Sequence, residues 1–369
     1  MQKSVVAPQK SLQFGLIIPV LNERDNIAPL LARLNAVLGA FAWEAIFVDD
    51  GSTDGTTAFV REIALTNQRI RLVQRLDRQG LSTAVVEGAM ATAAPIVGVI
   101  DGDMQHDEAI LPQLIAAVRD GQADIAVGSR YAGGGGTKDW SAARLRASKF
   151  ATWLGNRVIG TASTDPMSGY FVTRRDIIVS VQPRLSSIGF KILIDLLASS
   201  PQPLRLVEVP YVFRGRVAGE SKMGSAVVIE YLMLLLDKSV GRILPTRLIL
   251  FLMVGGSGLG VHLSLLGTSL LLGAGFALAQ SIAVATAILF NFTLNNLLTY
   301  RDRQLKGWAF LRGLLSFALV CGVGAIANVG VGEFVFERGN RWWLAGVAGA
   351  LMGAVWNYAA SSFVTWRKK

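Results

Sequence analysis

Cysteine is almost missing from this chain of 369 residues. Cys321 stands alone, so no disulfide can form within the chain and no cysteine cluster can bind zinc. Histidine is nearly as scarce: His106 and His262 lie far apart and make no zinc-type pair. Charge is thin, at 17% of residues against 51% hydrophobic, which is too apolar for a purely soluble protein of this length. No Gly-Lys-Ser/Thr occurs, so the run Gly133–Gly136 followed by Thr137-Lys138 does not make a P-loop nucleotide switch. The segment before Leu12 has two lysines but no apolar core and does not read as a signal peptide, so the soluble part is expected in the cytoplasm. The net charge of +10 comes without a basic face or a nucleic-acid motif, so nucleic acid is not an expected partner. Juxtamembrane positions account for that excess more simply.

What charge there is lies unevenly. From Leu248 onward there are nine Lys/Arg and three Asp/Glu, against 27 and 23 before it. The first two-thirds read as a soluble α/β domain and the last third as a membrane domain. Strands are predicted at 14–20, 44–48, 70–74, 96–100 and 124–128, with helices at about 26–38, capped by Asp25 or Asn26, and 80–93. Alternating strands and helices imply a mostly parallel, Rossmann-like sheet. The glycine run 133–136 suits a mobile loop. Residues 225–240 mix Glu230, Asp237 and Lys238 with bulky apolar side chains, which fits a helix in the membrane interface or a buried amphipathic helix of the soluble domain.

Four apolar segments follow, at roughly 248–272, 277–298, 309–331 and 342–364, each long enough to cross about 30 Å of hydrocarbon. Arg242 and Arg247 precede the first; Arg301, Arg303, Lys306 and Arg312 surround the second loop; Arg367, Lys368 and Lys369 end the chain. The positive-inside rule then places both termini and the second loop in the cytoplasm. Glycine-rich stretches at 255–258 and 322–324 permit close helix packing, and Asn291, Asn295, Asn296, Asn328 and Asn357 read as interhelical hydrogen-bonding groups.

The chemistry concentrates where an apolar run meets acid. Residues 97–105 read Val-Gly-Val-Ile-Asp-Gly-Asp-Met-Gln, a candidate buried strand ending in two carboxylates spaced i, i+2. Ligands bind at the carboxyl ends of such strands. Alternation along an extended chain would put Asp101, Asp103 and Gln105 on one side, where three oxygens could meet a hard divalent cation. Taken alone, Asp-Gly is equally a surface turn.

Seven motifs in order widen the argument. They are Ile18-Pro19-Val20-Leu21-Asn22-Glu23, Val48-Asp49-Asp50-Gly51-Ser52-Thr53-Asp54-Gly55, Asp101-Gly102-Asp103-Met104-Gln105-His106 and Gly128-Ser129-Arg130-Tyr131. Then come Asp165-Pro166-Met167-Ser168-Gly169-Tyr170, Gly189-Phe190-Lys191-Ile192-Leu193 and Arg216-Val217-Ala218-Gly219-Glu220-Ser221-Lys222. Together they resemble the polyprenyl-phosphate glycosyltransferases of glycosyltransferase family 2, most closely the dolichyl-phosphate mannose synthases. The tail resembles the GtrA-like membrane domain that some members carry. The resemblance implies an α/β GT-A catalytic domain over 1–224, juxtamembrane interfacial helices over 225–246, and an all-α domain of four transmembrane helices over 247–369.

The resemblance also implies roles. Pro19, Leu21, Glu23, Val48 and Asp50 match positions that hold the base and ribose of a nucleotide-sugar donor, GDP-mannose being favoured. Leu21 stands where many relatives have an aromatic residue. Asp101, Asp103 and Gln105 match a site for Mg2+ or Mn2+ at the donor diphosphate, with Gly102 beside it; Arg216 and Lys222 approach the same diphosphate. Arg130, Arg144, Ser148 and Lys191 match residues that hold the phosphate of a polyprenyl or dolichyl acceptor. Asp103, Arg130 and Arg216 are therefore the expected catalytic set. On spacing alone Arg144, Arg146 and Lys149 make a solvated basic face; the resemblance moves Arg144 and Ser148 to the acceptor and leaves the other two on that face. Asp165 is expected to shape the acceptor side of the cleft, and His106 to order the strand-end loop. Asp107-Glu108 stand where many relatives have prolines.

Three other readings were open to the sequence. A processive polysaccharide synthase would need Gln-x-x-Arg-Trp, and the only Arg-Trp, Arg341-Trp342, follows Glu337-Arg338-Gly339-Asn340. A flippase role for the tail has little charge within the spans to support a polar route, so a tail that anchors, and through which copies could associate, is simpler. UDP-glucose with undecaprenyl phosphate is the alternative substrate pair, because base specificity rests on few contacts.

Overall fold

The computed structural model describes residues 11–76, 80–137, 142–160, 162–186, 191–215, 225–241, 244–338 and 342–367. The chain forms two compact units, Met1–Ser239 and Val240–Lys369.

In the first unit β1 (Phe14–Val20), α1 (Arg24–Leu38), β2 (Trp43–Asp49), α2 (Thr56–Thr66), β3 (Ile70–Gln74), α3 (Leu81–Met90) and β4 (Ile96–Val99) alternate. They are followed by α4 (Leu111–Arg119), β5 (Ile125–Ser129), β6 (Gly136–Thr137), α5 (Ala142–Ile159), β7 (Phe171–Arg174), α6 (Arg175–Val181), α7 (Ile192–Ser199), β8 (Leu206–Pro210), β9 (Val212–Phe213) and α8 (Ser225–Val240). β1 and β3 have the predicted bounds, and the other predicted elements lie within three residues of theirs. The main sheet has the order β3-β2-β1-β4-β7-β5-β8. β1 to β4 are mutually parallel and β5 pairs in parallel with β8, while β7 runs antiparallel to both β4 and β5.

Period-two alternation explains the three layers. Leu16, Ile18, Val20 and Phe47 face one side, against Ile27, Leu30 and Leu34 of α1, Val60 of α2 and Leu114 and Ile115 of α4. Ile17, Ile46, Val48, Val97 and Val99 face the other, against α3, α6, α7 and α8. α8 lends Tyr231, Leu234 and Leu235 to that second core, and its Lys238 Nζ lies 2.7 Å from buried Asp195 Oδ1. Its opposite face exposes Val228 and Leu232. The segment thus has both a buried face and an apolar outer one.

Two local expectations are corrected. α1 begins at Arg24, before the expected Asp25 or Asn26 cap, because its first N–H groups are satisfied from a distance. Glu23 N donates to Thr56 Oγ1, at the start of α2, and Arg24 N to Asp54 Oδ2 in the loop before it. The glycine run is not simply a mobile loop, since Gly136–Thr137 pair with Val212–Phe213.

The second unit holds α9 (Thr246–Leu271), α10 (Phe276–Leu294), α11 (Trp308–Glu337) and α12 (Trp342–Ala360). Among the described residues three stretches, Thr246–Leu271, Phe276–Thr299 and Trp308–Val335, are long and apolar enough to cross a membrane. α10 and α12 each close with one π-helical turn, in which Tyr300 N bonds Asn295 O and Trp366 N bonds Ser361 O.

That matched ending belongs to a repeat. Phe251 and Phe317, Val254 and Val320, Gly258 and Gly324, Asn291 and Asn357, and Thr299 and Thr365 are identical pairs 66 residues apart. Phe292 pairs with Tyr358 and Tyr300 with Trp366 at the same spacing. In space the equivalents meet: Phe251 contacts Phe317, and Tyr300 stacks on Trp366 at 4.1 Å and 5°. The Phe251–Tyr358 contact has its counterpart in Phe317–Phe292. The α9–α10 and α11–α12 hairpins are therefore related by an approximate two-fold axis. Gly258 and Gly324 each lie so close to an asparagine, Asn291 and Asn357 respectively, that a Cβ would collide with its amide. The expected interhelical bonding is only partly present. Asn296 Oδ1 accepts from Trp366 Nε1, but Asn296 also grips both N and O of Leu305, and Asn295 accepts from Thr299 of its own helix.

Candidate functional site

The carboxyl ends of β1, β2, β4 and β5 lie along one edge of the sheet, and β7 enters from that same edge because it runs antiparallel. The loop 163–170 is thereby brought beside residues far from it in sequence. Two non-glycine residues with left-handed backbone, Asn22 (φ 58°) and Met104 (φ 61°), both sit in loops at this edge. Such strain persists only where surrounding contacts hold it. Asn22 is held by Thr53 N, which donates to its Oδ1, and its own N donates to Ser52 Oγ.

At β2 the two adjacent acids divide. Asp49 is fully buried and its Oδ1 accepts from Ser52 N and Oγ, so it orders the loop. Asp50 lies at the edge, with Arg75 Nη1 2.8 Å from Oδ1 and Gly80 N 3.2 Å from Oδ2. Arg75 is almost entirely buried and also donates to Gly80 O, Thr83 and Glu87. It fixes the orientation of Asp50, and reading the sequence missed it. The available signal was an arginine directly after the strand predicted at 70–74. Pro19 and Val48 pair across β1 and β2, and Glu23 Oε2 accepts from Asn26 Nδ2, while Leu21 is half-buried.

After β4 the chain does not continue extended, as the alternation of Asp101, Asp103 and Gln105 had assumed. It turns at once, with Met104 left-handed and Asp103 Oδ1 accepting from Gln105 N. Gly102 is required there, because a Cβ would lie 2.9 Å from Val20 Cγ1. Gln105 Nε2 donates to Arg214 O, and Arg214 N to Gln105 O. That fixes the amide with its nitrogen engaged and leaves its oxygen as the end able to ligate a cation. Arg214 also grips Asp107 Oδ1 at 2.7 Å and Glu108 Oε2 at 2.8 Å, a second residue missed in sequence. Asp107 and Glu108 thus stiffen this loop by an ion-pair clamp.

Asp103 is buried and Asp101 keeps a third of its side chain open. Burial raises the Asp101 carboxyl above the usual carboxylate range; His106 pulls it down, Asp103 pushes it further up, and Lys191 and Arg130 oppose. His106 stacks on Tyr170 at 5.0 Å, and its Nδ1 accepts from Asp101 N. Burial pushes this imidazole below its ordinary value, against the pull of Asp101 and Asp103. Among the described residues no three His, Cys, Asp or Glu side chains gather as a metal cluster. The set available is two carboxylates and one amide oxygen. Those are hard donors, and the mutual repulsion of Asp101 and Asp103 is a cost that a divalent cation would remove.

Beyond β5, Arg130 is gripped by Asp165 through Nε and Nη2, both at 2.7 Å, and its backbone N donates to the same carboxylate. Asp165 is fully buried. Burial works against the Arg130 charge, and the Asp165 hydrogen bonds and charge outweigh it, holding the guanidinium above its ordinary value. Lys191 lies near Arg130, Asp101 and Asp165; burial and Arg130 lower it to about 8. Ser148 Oγ is 2.8 Å from Tyr131 Oη, next to Arg130. Arg144 falls on α5 with its side chain outside what is described, and Arg216 and Lys222 lie outside the described residues. The edge therefore has an acidic pole, Asp101 and Asp103, beside a basic one, Arg130 and Lys191. It suits a cation-masked diphosphate at the first and a second phosphate at the other.

Known proteins resemble this chain along most of its length. Residues 16–181 match glycosyl transferase family 2, and residues 250–366 match the GtrA/DPMS transmembrane domain. A dolichol-phosphate mannosyltransferase of Pyrococcus furiosus is 33% identical over 96% of this chain and 99% of its own length. One from Saccharomyces cerevisiae is 35% identical over 66% of this chain and 92% of that protein. A polyprenol monophosphomannose synthase of Mycolicibacterium smegmatis is 32% identical over 58% and 82%. Among solved structures, glucosyl-3-phosphoglycerate synthase of Mycobacterium tuberculosis overlays with a TM-score of 0.47, at 20% identity over 62% of this chain and 78% of that one.

Proposed function

Because the chain belongs to the dolichol-phosphate mannosyltransferases of glycosyl transferase family 2, we propose that it transfers mannose from GDP-mannose to a polyprenyl or dolichyl phosphate at the cytoplasmic membrane face. The observation that carries this reading is a relative matched along nearly its whole length, catalytic and membrane parts together. The two-pole edge supports it.

In this reading Pro19, Leu21, Glu23, Val48 and Asp50 hold the base and ribose, with Arg75 fixing Asp50. Asp101, Asp103 and Gln105 hold Mg2+ or Mn2+, Gln105 being oriented by the Arg214 carbonyl. When bound, that ion supplies Lewis-acid stabilisation of the departing nucleoside diphosphate. Arg216 and Lys222 add positive charge where negative charge grows. Arg130, Arg144, Ser148 and Lys191 hold the lipid phosphate; a planar guanidinium already fixed by Asp165 meets phosphate oxygens without further ordering. A phosphate monoester has a second pKa of about 6, so its attacking oxygen is largely anionic at neutral pH and no strong general base is needed. Positioning does most of the work. A single in-line displacement inverts the anomeric carbon and gives a β-linked product. Residues 1–224 act as the catalytic domain, 225–246 as its link to the bilayer, and α9 to α12 as a four-span anchor with both termini cytoplasmic.

The test is to incubate membranes holding the full chain with polyprenyl phosphate, Mg2+ or Mn2+, and either GDP-mannose or UDP-glucose. Mannolipid from the first donor alone is expected. Glycolipid from UDP-glucose alone would overturn the donor assignment, and transfer at an unchanged rate in excess chelator would overturn the metal's role.

A further inference from the structure

Glu208 lies on β8, opposite Val127 of β5, and none of the readings above uses it. Its carboxylate gathers a loop. Oε1 accepts from Ser163 Oγ and Thr164 N, both at 2.8 Å, and from Asp165 N at 3.3 Å; Oε2 accepts from Thr164 Oγ1 at 2.8 Å. Asp165, whose backbone is held in this way, is the residue that grips Arg130. A second line reaches the same arginine from its other side. Thr164 Oγ1 is 2.6 Å from Ser129 Oγ, and Ser129 Oγ accepts from Tyr131 N and Ala132 N, the two residues after Arg130. Since Thr164 gives its proton to Glu208, Ser129 is the donor in that pair. Both supports of Arg130, the carboxylate partner and the backbone that carries it, converge on one glutamate.

We propose that Glu208 is a positioning residue for capture of the acceptor phosphate, acting through the 163–165 loop and Ser129 on Arg130. This rests on the reading of Arg130 as an acceptor contact. A carboxylate is needed rather than any polar group. A glutamine with its oxygen kept on Thr164 N and Asp165 N would turn its NH2 toward Thr164 Oγ1, so the Thr164 proton would lose its acceptor and the chain of hydroxyls would break. A hydrogen bond to a charged group contributes about 1.5–3 kcal/mol, which corresponds to roughly a tenfold or larger change in binding.

The test uses the full-length protein with a short-chain polyprenyl phosphate and GDP-mannose varied separately. Glu208→Gln should raise the acceptor KM about tenfold, with the donor KM within about twofold and kcat little changed. Thr164→Val, which removes the hydroxyl link and keeps the loop's shape, should move the acceptor KM in the same direction by less. Glu208→Gln combined with Asp165→Asn should raise the acceptor KM by less than the product of the two separate increases, since the two share the Asp165 route and only the Ser129 route is independent of it. Equal shifts in both KM values, or no shift in either, would overturn the positioning role. Arg130→Lys separates the premises, because it keeps the charge but loses the two-pronged grip. If Arg130→Lys leaves the acceptor KM unchanged, the acceptor reading of Arg130 fails. If it raises the acceptor KM while Glu208→Gln does not, only the relay fails.

Discussion

The two units differ in where they keep their charges. The first places like charges and buried ions side by side at one sheet edge: Asp101 next to Asp103, and Lys191 held low by burial and by Arg130. Such arrangements destabilise the empty fold, and a ligand of complementary charge relieves them. The second unit keeps its ion pairs, such as Arg247 with Asp302, in the segment between α10 and α11 and at helix ends. It stacks Tyr300 on Trp366 and closes Asn296 on Leu305 and Trp366, while Asn291 Oδ1 and Asn357 Oδ1 are buried beside Gly258 and Gly324 with no hydrogen-bond partner among the described residues. One unit is strained where chemistry is expected, and the other is packed where anchoring is expected.

The contrast can be broken most sharply at Asp103. Replacing it by alanine should cost about a thousandfold or more in turnover, by analogy with the loss of a principal electrostatic group; substantial residual rate at saturating metal would erase the distinction between the units. Arg130→Ala comes next. The acceptor kcat/KM should fall about a hundredfold, and because buried Asp165 loses its partner, the melting temperature of the first unit should fall too. An unchanged acceptor dependence would refute its role.

The third effect concerns pH. With Lys191 titrating near 8, the side chain is charged below that value and neutral above it. Between pH 7 and 9.5 the acceptor phosphate stays dianionic, so kcat/KM for the acceptor should decline as pH rises through about 8, by up to roughly tenfold. Lys191→Arg should flatten the decline, and a profile unaltered by that change would point to another group. In the membrane unit the effects shift from rate to stability. Gly258→Ala and Gly324→Ala should each destabilise by about 1–3 kcal/mol through overpacking, and to a similar extent. Thermal unfolding in detergent that depends strongly on one and not the other would break the two-fold relation. Asn296→Ala should have the smallest effect, about 1 kcal/mol, with turnover per folded molecule kept.

Much of this was legible beforehand, because periodicity and motif order are local. β1 and β3 could be read to the residue, since an apolar run bounded by polar residues marks a strand without reference to the rest of the chain. The cap of α1 was not legible, because its acceptors come from Asp54 and Thr56, about thirty positions away. The turn at Met104 was hidden by a spacing that an extended strand would have explained equally well. The repeat in the membrane unit is written in the sequence at a spacing of 66, but a few identities in an apolar alphabet do not stand out until the equivalents are seen face to face.

The sequence by itself determined the strand ends that carry the acids and the order of the motifs, since both follow from short-range pattern and composition. Only the tertiary structure decided that β7 runs antiparallel between β4 and β5, which sets Asp165 on Arg130 and lets Glu208 gather the loop between them. Strand direction within a sheet is settled by backbone pairing between distant segments, and no local stretch of side chains encodes it.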